Sequence, residues 1–326
     1  MKKNTSYVLV CLGIVLTCFY NWKQTNKESN IEHYLDNLRL GCSEICNTNI
    51  KGKKSLYYDE IKKDVDCAGL WGNTAIDKPR TFGPAPDIPP EMIKYFSYNG
   101  RVKMLSYGKK LNEIYLGSNA ATPVWDFDTI EQMKDHCSRG LLHGTYGFNE
   151  TSRLFHVLKT APGVQNGHVL VIGSERPWVE SCALAAGAST VVTLEYGKIQ
   201  SNHPQVTTST PDEMRSTFKK TKLFDAIVTF SSIEHSGLGR YGDSLNPWGD
   251  LQAIARAWCI AKTGASLVIA VPDSKFSLPD DAIKFNAHRV YGPVMFSNLF
   301  ANWKQVWRDD SPAPIDSQRI HLLQKY

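Results

Sequence analysis

From His168 onward, short β-branched apolar runs alternate with stretches of helical composition, and few folds accommodate that alternation. HVLVIG (168–173), TVVTLE (190–195), QVTTST (205–210), FDAIVTFSS (224–232) and SLVIAVP (266–272) read as five strands. SCALAAGA and LQAIARAWCIAKTG lie between them as helices, with Leu251, Ile254, Ala255 and Trp258 at helical spacing and Gly264 as a stop. AIKFNAHRVYGPVMFSNLFANW reads as a further helix interrupted near Gly292-Pro293. WKQVWR and QRIHLLQK read as a closing pair of strands. Apolar strands separated by helices predict a mostly parallel sheet covered on both faces.

Ligands of such sheets bind beyond the C-terminal strand ends, near the switch in strand order. That rule selects Gly173 onward, Glu195, Thr210 to Asp212, and Ser231 to His235. Glu195 follows Gly173 by 22 residues. An acidic residue there is placed to hold the ribose hydroxyls of a nucleoside cofactor; the alternative is a solvent-facing strand end. Gly173 permits a tight turn, and Ser174 follows it, but Glu175 and Pro177 stand where further glycines would allow close approach. His235 is placed to take a proton from a substrate hydroxyl, with Glu234 to orient it. The alternative is that both only bond the neighbouring loop. His288 and Arg289, read on a helix, are candidate substrate contacts. Asn246-Pro247-Trp248 departs from the Asn-Pro-Pro-aromatic signature of amino-methylating enzymes and sits too far past its strand.

These residues carry a resemblance. FDAIVTFSSIEH followed by GDLQAIARAWCIAKTGASLVIAVP is similar to the fourth-to-fifth-strand segment of class I S-adenosylmethionine-dependent methyltransferases. LVIGSERPWVE, TLEYGKI, DSLNPWGDL and AHRVYGP resemble the nematode proteins grouped as domain of unknown function family 268. The resemblance covers about Tyr146 to Lys325, and extends more weakly to the VDCAGLW segment around Cys67. It implies a Rossmann-like α/β methyltransferase sheet, mostly parallel with an antiparallel closing strand. It implies S-adenosylmethionine as cofactor, with Gly173, Ser174 and Glu195 lining its site and Thr210, Asp212 and Ser231 at the neighbouring strand ends.

The remainder of the chain speaks to placement. Lys2 and Lys3 precede Tyr7 to Trp22, which carry no charge. Sixteen helical residues reach about 24 Å, short of an average bilayer core and closer to that of the endoplasmic reticulum. Tyr7, Tyr20 and Trp22 sit where aromatic rings favour the headgroups. A cleaved signal peptide needs small residues where Phe19 to Trp22 stand, so the segment reads as a signal anchor; a buried core helix is the third reading. The expected organisation is a cytoplasmic tip and anchor (1–22), a stem (23–55), a small irregular cysteine-containing region (56–145) and the methyltransferase-like domain (146–326). The C-terminal part is expected in the lumen of the endoplasmic reticulum or Golgi. RTFGPAPDIPPEM (80–92) is expected as loop or extended chain.

Cys42, Cys46, Cys67 and Cys137 are disulfide candidates in an oxidising lumen, with three connectivities open. Cys182 and Cys259 read as buried free thiols, and no metal site is expected. Asn149-Glu150-Thr151 is a lumenal glycosylation sequon. Lys and Arg total 37 against 32 Asp and Glu, a net charge of +5. No basic cluster marks a nucleic-acid partner.

Overall fold

The computed structural model describes residues 30–53, 58–79, 87–105, 122–217, 223–274, 281–311 and 318–326. The expected membrane segment, Tyr7 to Trp22, lies outside them. Among the described residues no helix is long and apolar enough to cross a membrane.

The strands of the main sheet are β1 (His168–Ile172), β2 (Thr190–Leu194), β3 (Val206–Ser209), β4 (Phe224–Phe230), β5 (Ala261–Pro272), β6 (Trp303–Arg308) and β7 (Gln318–Lys325). Their order across the sheet is β6-β7-β5-β4-β1-β2-β3. β1 to β5 are mutually parallel. β7 inserts antiparallel beside β5 and is flanked by antiparallel β6. Strand order reverses between β1 and β4, so the C-terminal ends of these two strands define the crevice. The arrangement is a mixed α/β sheet, mostly parallel with an antiparallel closing pair.

The period-2 pattern decides which face each side chain covers. Leu170, Ile172, Ile227, Leu267, Ile269 and Val271 face one apolar core. Val169, Val171, Ala226, Val228, Val268 and Ala270 face the other. The second core is closed by α1 (Phe127–Ser138), α2 (Phe148–Thr160) and α3 (Trp178–Ala185). Against the first pack α5 (Gly249–Ile260), α6 (Pro293–Leu299) and much of the N-terminal part. Leu35, Leu38, Ile45, Leu70, Trp71 and Phe96 are all buried in that core. Residues 30–53, expected as stem, and the region after them therefore fold onto the sheet.

Several local expectations are corrected. α5 ends at Ile260 rather than at Gly264, and β5 starts at once with Ala261. Within 80–92, Pro90 opens a helix (Pro90–Phe96), where its missing N–H costs nothing. Residues 282–290 form two strands, Ala282–Lys284 and His288–Val290, paired antiparallel, not a helix. Asn286 turns the chain between them at φ 57°, a value a helix cannot use. The disulfides are Cys42–Cys46, Cys67–Cys259 and Cys137–Cys182, with Cα separations of 5.7, 5.6 and 5.5 Å. All four candidates are bridged, but Cys182 and Cys259 are bridged too and are not free thiols.

Candidate functional site

A cavity of about 250 Å3 opens at the C-terminal ends of β1, β2 and β4. A smaller one of about 60 Å3 adjoins it and shares Ile76, Gly173, Glu195, Tyr196, Ser232 and Gly249. Glu195 therefore stands between the two.

The turn after β1 is set by Gly173. Its φ is 74°, and a Cβ there would lie 1.7 Å from Ser232 Oγ. Only glycine allows the β1 and β4 ends to approach this closely. Ser174 N–H then donates to Glu195 Oε2 at 2.9 Å, and Tyr196 N–H donates to Glu195 Oε1 at 2.7 Å. Glu195 is 7% exposed, and burial pushes its carboxyl up to about 7. The Gly197 amide also favours the charged form, and only part of the carboxylate's acceptor capacity stays open. A second acid, which sequence reasoning missed, lies behind this one. Glu180 on α3 is fully buried and accepts from Ser174 Oγ (3.0 Å) and Thr193 Oγ1 (2.8 Å). Burial holds its carboxyl near 7 as well. Ser174 thus links both carboxyls, one through its amide and one through its hydroxyl.

His235 lies in a short 3-10 turn (Ile233–His235) after β4 and lines the large cavity. Its Nδ1 meets the Ala287 carbonyl, so Nδ1 carries the proton and Nε2 keeps its lone pair. Burial lowers its pKa to about 4, which keeps the ring neutral. Glu234 does not orient it: Oε1 is 3.8 Å from His235 Nε2, too far for a hydrogen bond. Glu234 Oε1 instead accepts from Ser231 Oγ at 2.7 Å and Gln318 Nε2 at 3.3 Å. Ser231 lines the cavity with φ 49°, a strained value for serine.

Other sequence candidates lie elsewhere. Thr210 and Asp212 do not line either cavity. Thr210 and Glu213 form a capping box at the start of α4 (Pro211–Thr217), and Asp212 is exposed and paired with Arg215. Arg289 is fully buried and lines neither cavity. It donates to the carbonyls of Glu234 (3.3 Å) and Ser236 (2.6 Å), on either side of His235, and pairs with Asp250 at 3.4 Å. His288 lies beside His235, with ring centroids 6.2 Å apart, on a strand rather than a helix. Asn149 is exposed in the first turn of α2, while Thr151 is buried and bonded to the carbonyls of His143 and Gly147.

The rest of the lining comes from residues the sequence reading passed over. Tyr146, Trp178, Tyr196, Phe230 and Tyr241 contribute rings. Asp243 accepts the N–H groups of Gly237 (2.7 Å), Gly239 and Tyr241 (3.2 Å each), shaping the loop over the cavity. The glycine-rich run GLGRYGD was the available signal. Asn246 also lines the cavity, but its amide is spent on Gln252 and the Trp248 N–H. Among the described residues the wall of the large cavity holds three carboxyls, Glu175, Glu195 and Asp243, and no lysine or arginine, while Arg256 lines the small one. Among the described residues no group of three or more His, Cys, Asp or Glu is arranged to hold a metal ion.

Residues 166–326 match the model of a family described as Caenorhabditis protein of unknown function, DUF268. That match begins at residue 166, somewhat inside the boundary expected at Tyr146. No curated protein matches the chain. Among solved structures, the N-methyltransferase NodS from Bradyrhizobium japonicum WM9 is similar at 11% identity. The match covers 54% of this chain and 94% of NodS, with a TM-score of 0.37. The same enzyme in complex with S-adenosyl-L-homocysteine is similar at 12% identity, covering 61% of this chain and 99% of that one, with a TM-score of 0.38.

Proposed function

We propose that the cavity binds S-adenosylmethionine and that the chain is a methyltransferase acting on a hydroxyl-bearing acceptor in the secretory pathway. The character of the large cavity's lining carries this reading: among the described residues it has three carboxyls, five aromatic rings and no lysine or arginine, and Arg256 of the adjoining small cavity is paired with Asp77. A sulfonium cation is attracted by carboxylates and by aromatic faces. A dinucleotide pyrophosphate would meet the opposite of what it needs. The Ser174 amide is already given to Glu195, Pro177 has no N–H, and Glu175 stands at the cavity wall.

In this reading Glu195 accepts the ribose hydroxyls with its remaining acceptor capacity. The bound cofactor supplies an electrophilic methyl group. His235 Nε2 accepts the proton of the acceptor hydroxyl, and the Ala287 carbonyl fixes the tautomer that allows it. Glu234, Ser231 and Gln318 form the floor beneath this histidine.

Three disulfides support an oxidising compartment, and the expected anchor at residues 7–22 would place the folded part in the lumen of the endoplasmic reticulum or Golgi. A glycan is the acceptor class that this compartment favours. One observation favours a second reading, a non-catalytic lumenal binding protein: the turn after β1 has lost two glycines and spends its first amide internally.

The test is transfer of tritium from methyl-labelled S-adenosylmethionine to a panel of neutral glycans by the full chain. The enzymatic reading expects label in an acceptor and its loss in His235→Ala. Cofactor binding with no transfer to any acceptor supports the non-catalytic reading.

A further inference from the structure

We propose that the segment Cys67–Pro79 is a fixed cover over the nucleoside end of the cavity, with Ile76 touching the ligand and Asp77 as the positioning residue. The proposal takes the identity of the ligand from the S-adenosylmethionine reading.

The segment lies about 90 residues before the start of the family match and contributes no strand to the main sheet. Ile76 nevertheless lines both cavities, together with Glu195 and Tyr196. The segment is tied down along its length. At its start, Cys67 is bridged to Cys259 on α5. In its middle, Arg256 of α5 donates to the carbonyls of Leu70 and Asn73 at 3.0 Å each, and Arg215 of α4 donates to the Trp71 carbonyl at 2.7 Å. At its end, Pro79 bridges to Asp243 of the cavity loop. Asp77 is the convergence point. It takes a two-pronged bond from Arg256 (2.6 and 3.1 Å) and a further bond from Arg215. Such forked pairs fix geometry as well as charge.

Asp77 has a second consequence. Arg256 lines the small cavity, so its charge adjoins a site proposed to hold a cation. Asp77 neutralises that charge. Removing the carboxylate would loosen Ile76 and also leave a positive charge near the ligand. S-adenosylmethionine, with its sulfonium, should then suffer more than S-adenosylhomocysteine, whose sulfur is neutral. Loss of packing alone would weaken both equally.

The experiment titrates the full chain with each compound by calorimetry and follows hydrogen exchange of the ligand-free protein at the Ser174 and Tyr196 amides. Ile76→Ala should weaken both ligands by about tenfold, the loss of one well-packed contact. Asp77→Asn should weaken S-adenosylmethionine more than S-adenosylhomocysteine, and Asp77→Glu should restore the ratio. The paired Cys67→Ser, Cys259→Ser variant should weaken both and raise exchange at both amides. Wild type that binds neither compound, with exchange still raised in the Ile76 and Asp77 variants, would keep the cover and sink the cofactor reading. Variants that bind as tightly as wild type with unchanged exchange would overturn the cover.

Discussion

Glu195 makes ligand affinity depend on pH in a direction that can be worked out. Its carboxyl sits near 7 because burial penalises the charge, and the two amides that bond it offset only part of that cost. Ribose hydroxyls donate, so they favour the ionised form, and binding should expel a proton. With a pKa of about 7, roughly one molecule in eleven is ionised at pH 6 and most are at pH 8. The apparent affinity should therefore rise about tenfold between these pH values and level off above. Three other groups must be separated. Glu180 also sits near 7, lies behind Ser174 and raises Glu195 through its charge, so Glu180→Gln should move the midpoint down. Glu234 titrates near 7 but does not line either cavity. His235, near 4, stays neutral throughout. Calorimetry in buffers of different ionisation enthalpy counts the released proton directly. The reasoning fails if wild-type affinity is flat from pH 6 to 8, or if Glu195→Gln keeps the same slope.

Further consequences are open to measurement. Gly173→Ala should destabilise the fold by about 1–3 kcal/mol in chemical denaturation, because φ is positive and the new Cβ meets Ser232. Arg289→Met should cost about 3–5 kcal/mol by leaving Asp250 buried without its cation; a loss under 1 kcal/mol would remove it as the clamp of the His235 loop. Thermal stability should fall as pH rises from 5 to 8. Glu180, Glu195 and Glu234 have folded values near 7, above the ordinary 4.5, so the native state holds more protons than the unfolded chain. Their contribution is complete below about pH 4.5 and is lost through pH 7, each by at most about 3 kcal/mol. Buried His235 and His321, both lowered by burial, offset part of this below about pH 6.5, so the fall is steepest between about pH 6.5 and 8. A melting temperature that rises between about pH 6.5 and 8 would contradict the burial of these acids.

The sheet was legible because each of its first five strands is a β-branched run, and burial on both faces leaves few other uses for such runs. The end of β2 was legible for the same reason, since Glu195 is the first charged residue after TVVTL. The hairpin at 282–290 was not. Ile283, Phe285 and Val290 fit either period, and the turn rests on one asparagine adopting a left-handed conformation. The helical placement of His288 and Arg289 failed with it, and Arg289 is buried rather than open to a substrate, because orientation follows from the element. Cysteine pairing was hidden because Cys67 and Cys259 are 192 residues apart in sequence and meet only when the N-terminal part folds onto α5. Ile76 and Asp77 were invisible for the same reason. Glu180 looked like an ordinary helical acid, and only the packing of α3 against β2 exposes it as buried.

The most direct test of the central claim is calorimetric titration of the full chain at pH 8 with S-adenosylmethionine, S-adenosylhomocysteine and NAD. The account predicts one-to-one binding of the first two, weakened in Glu195→Ala, and no heat with NAD. Binding of NAD in their place, or no binding of either sulfur compound, would contradict it.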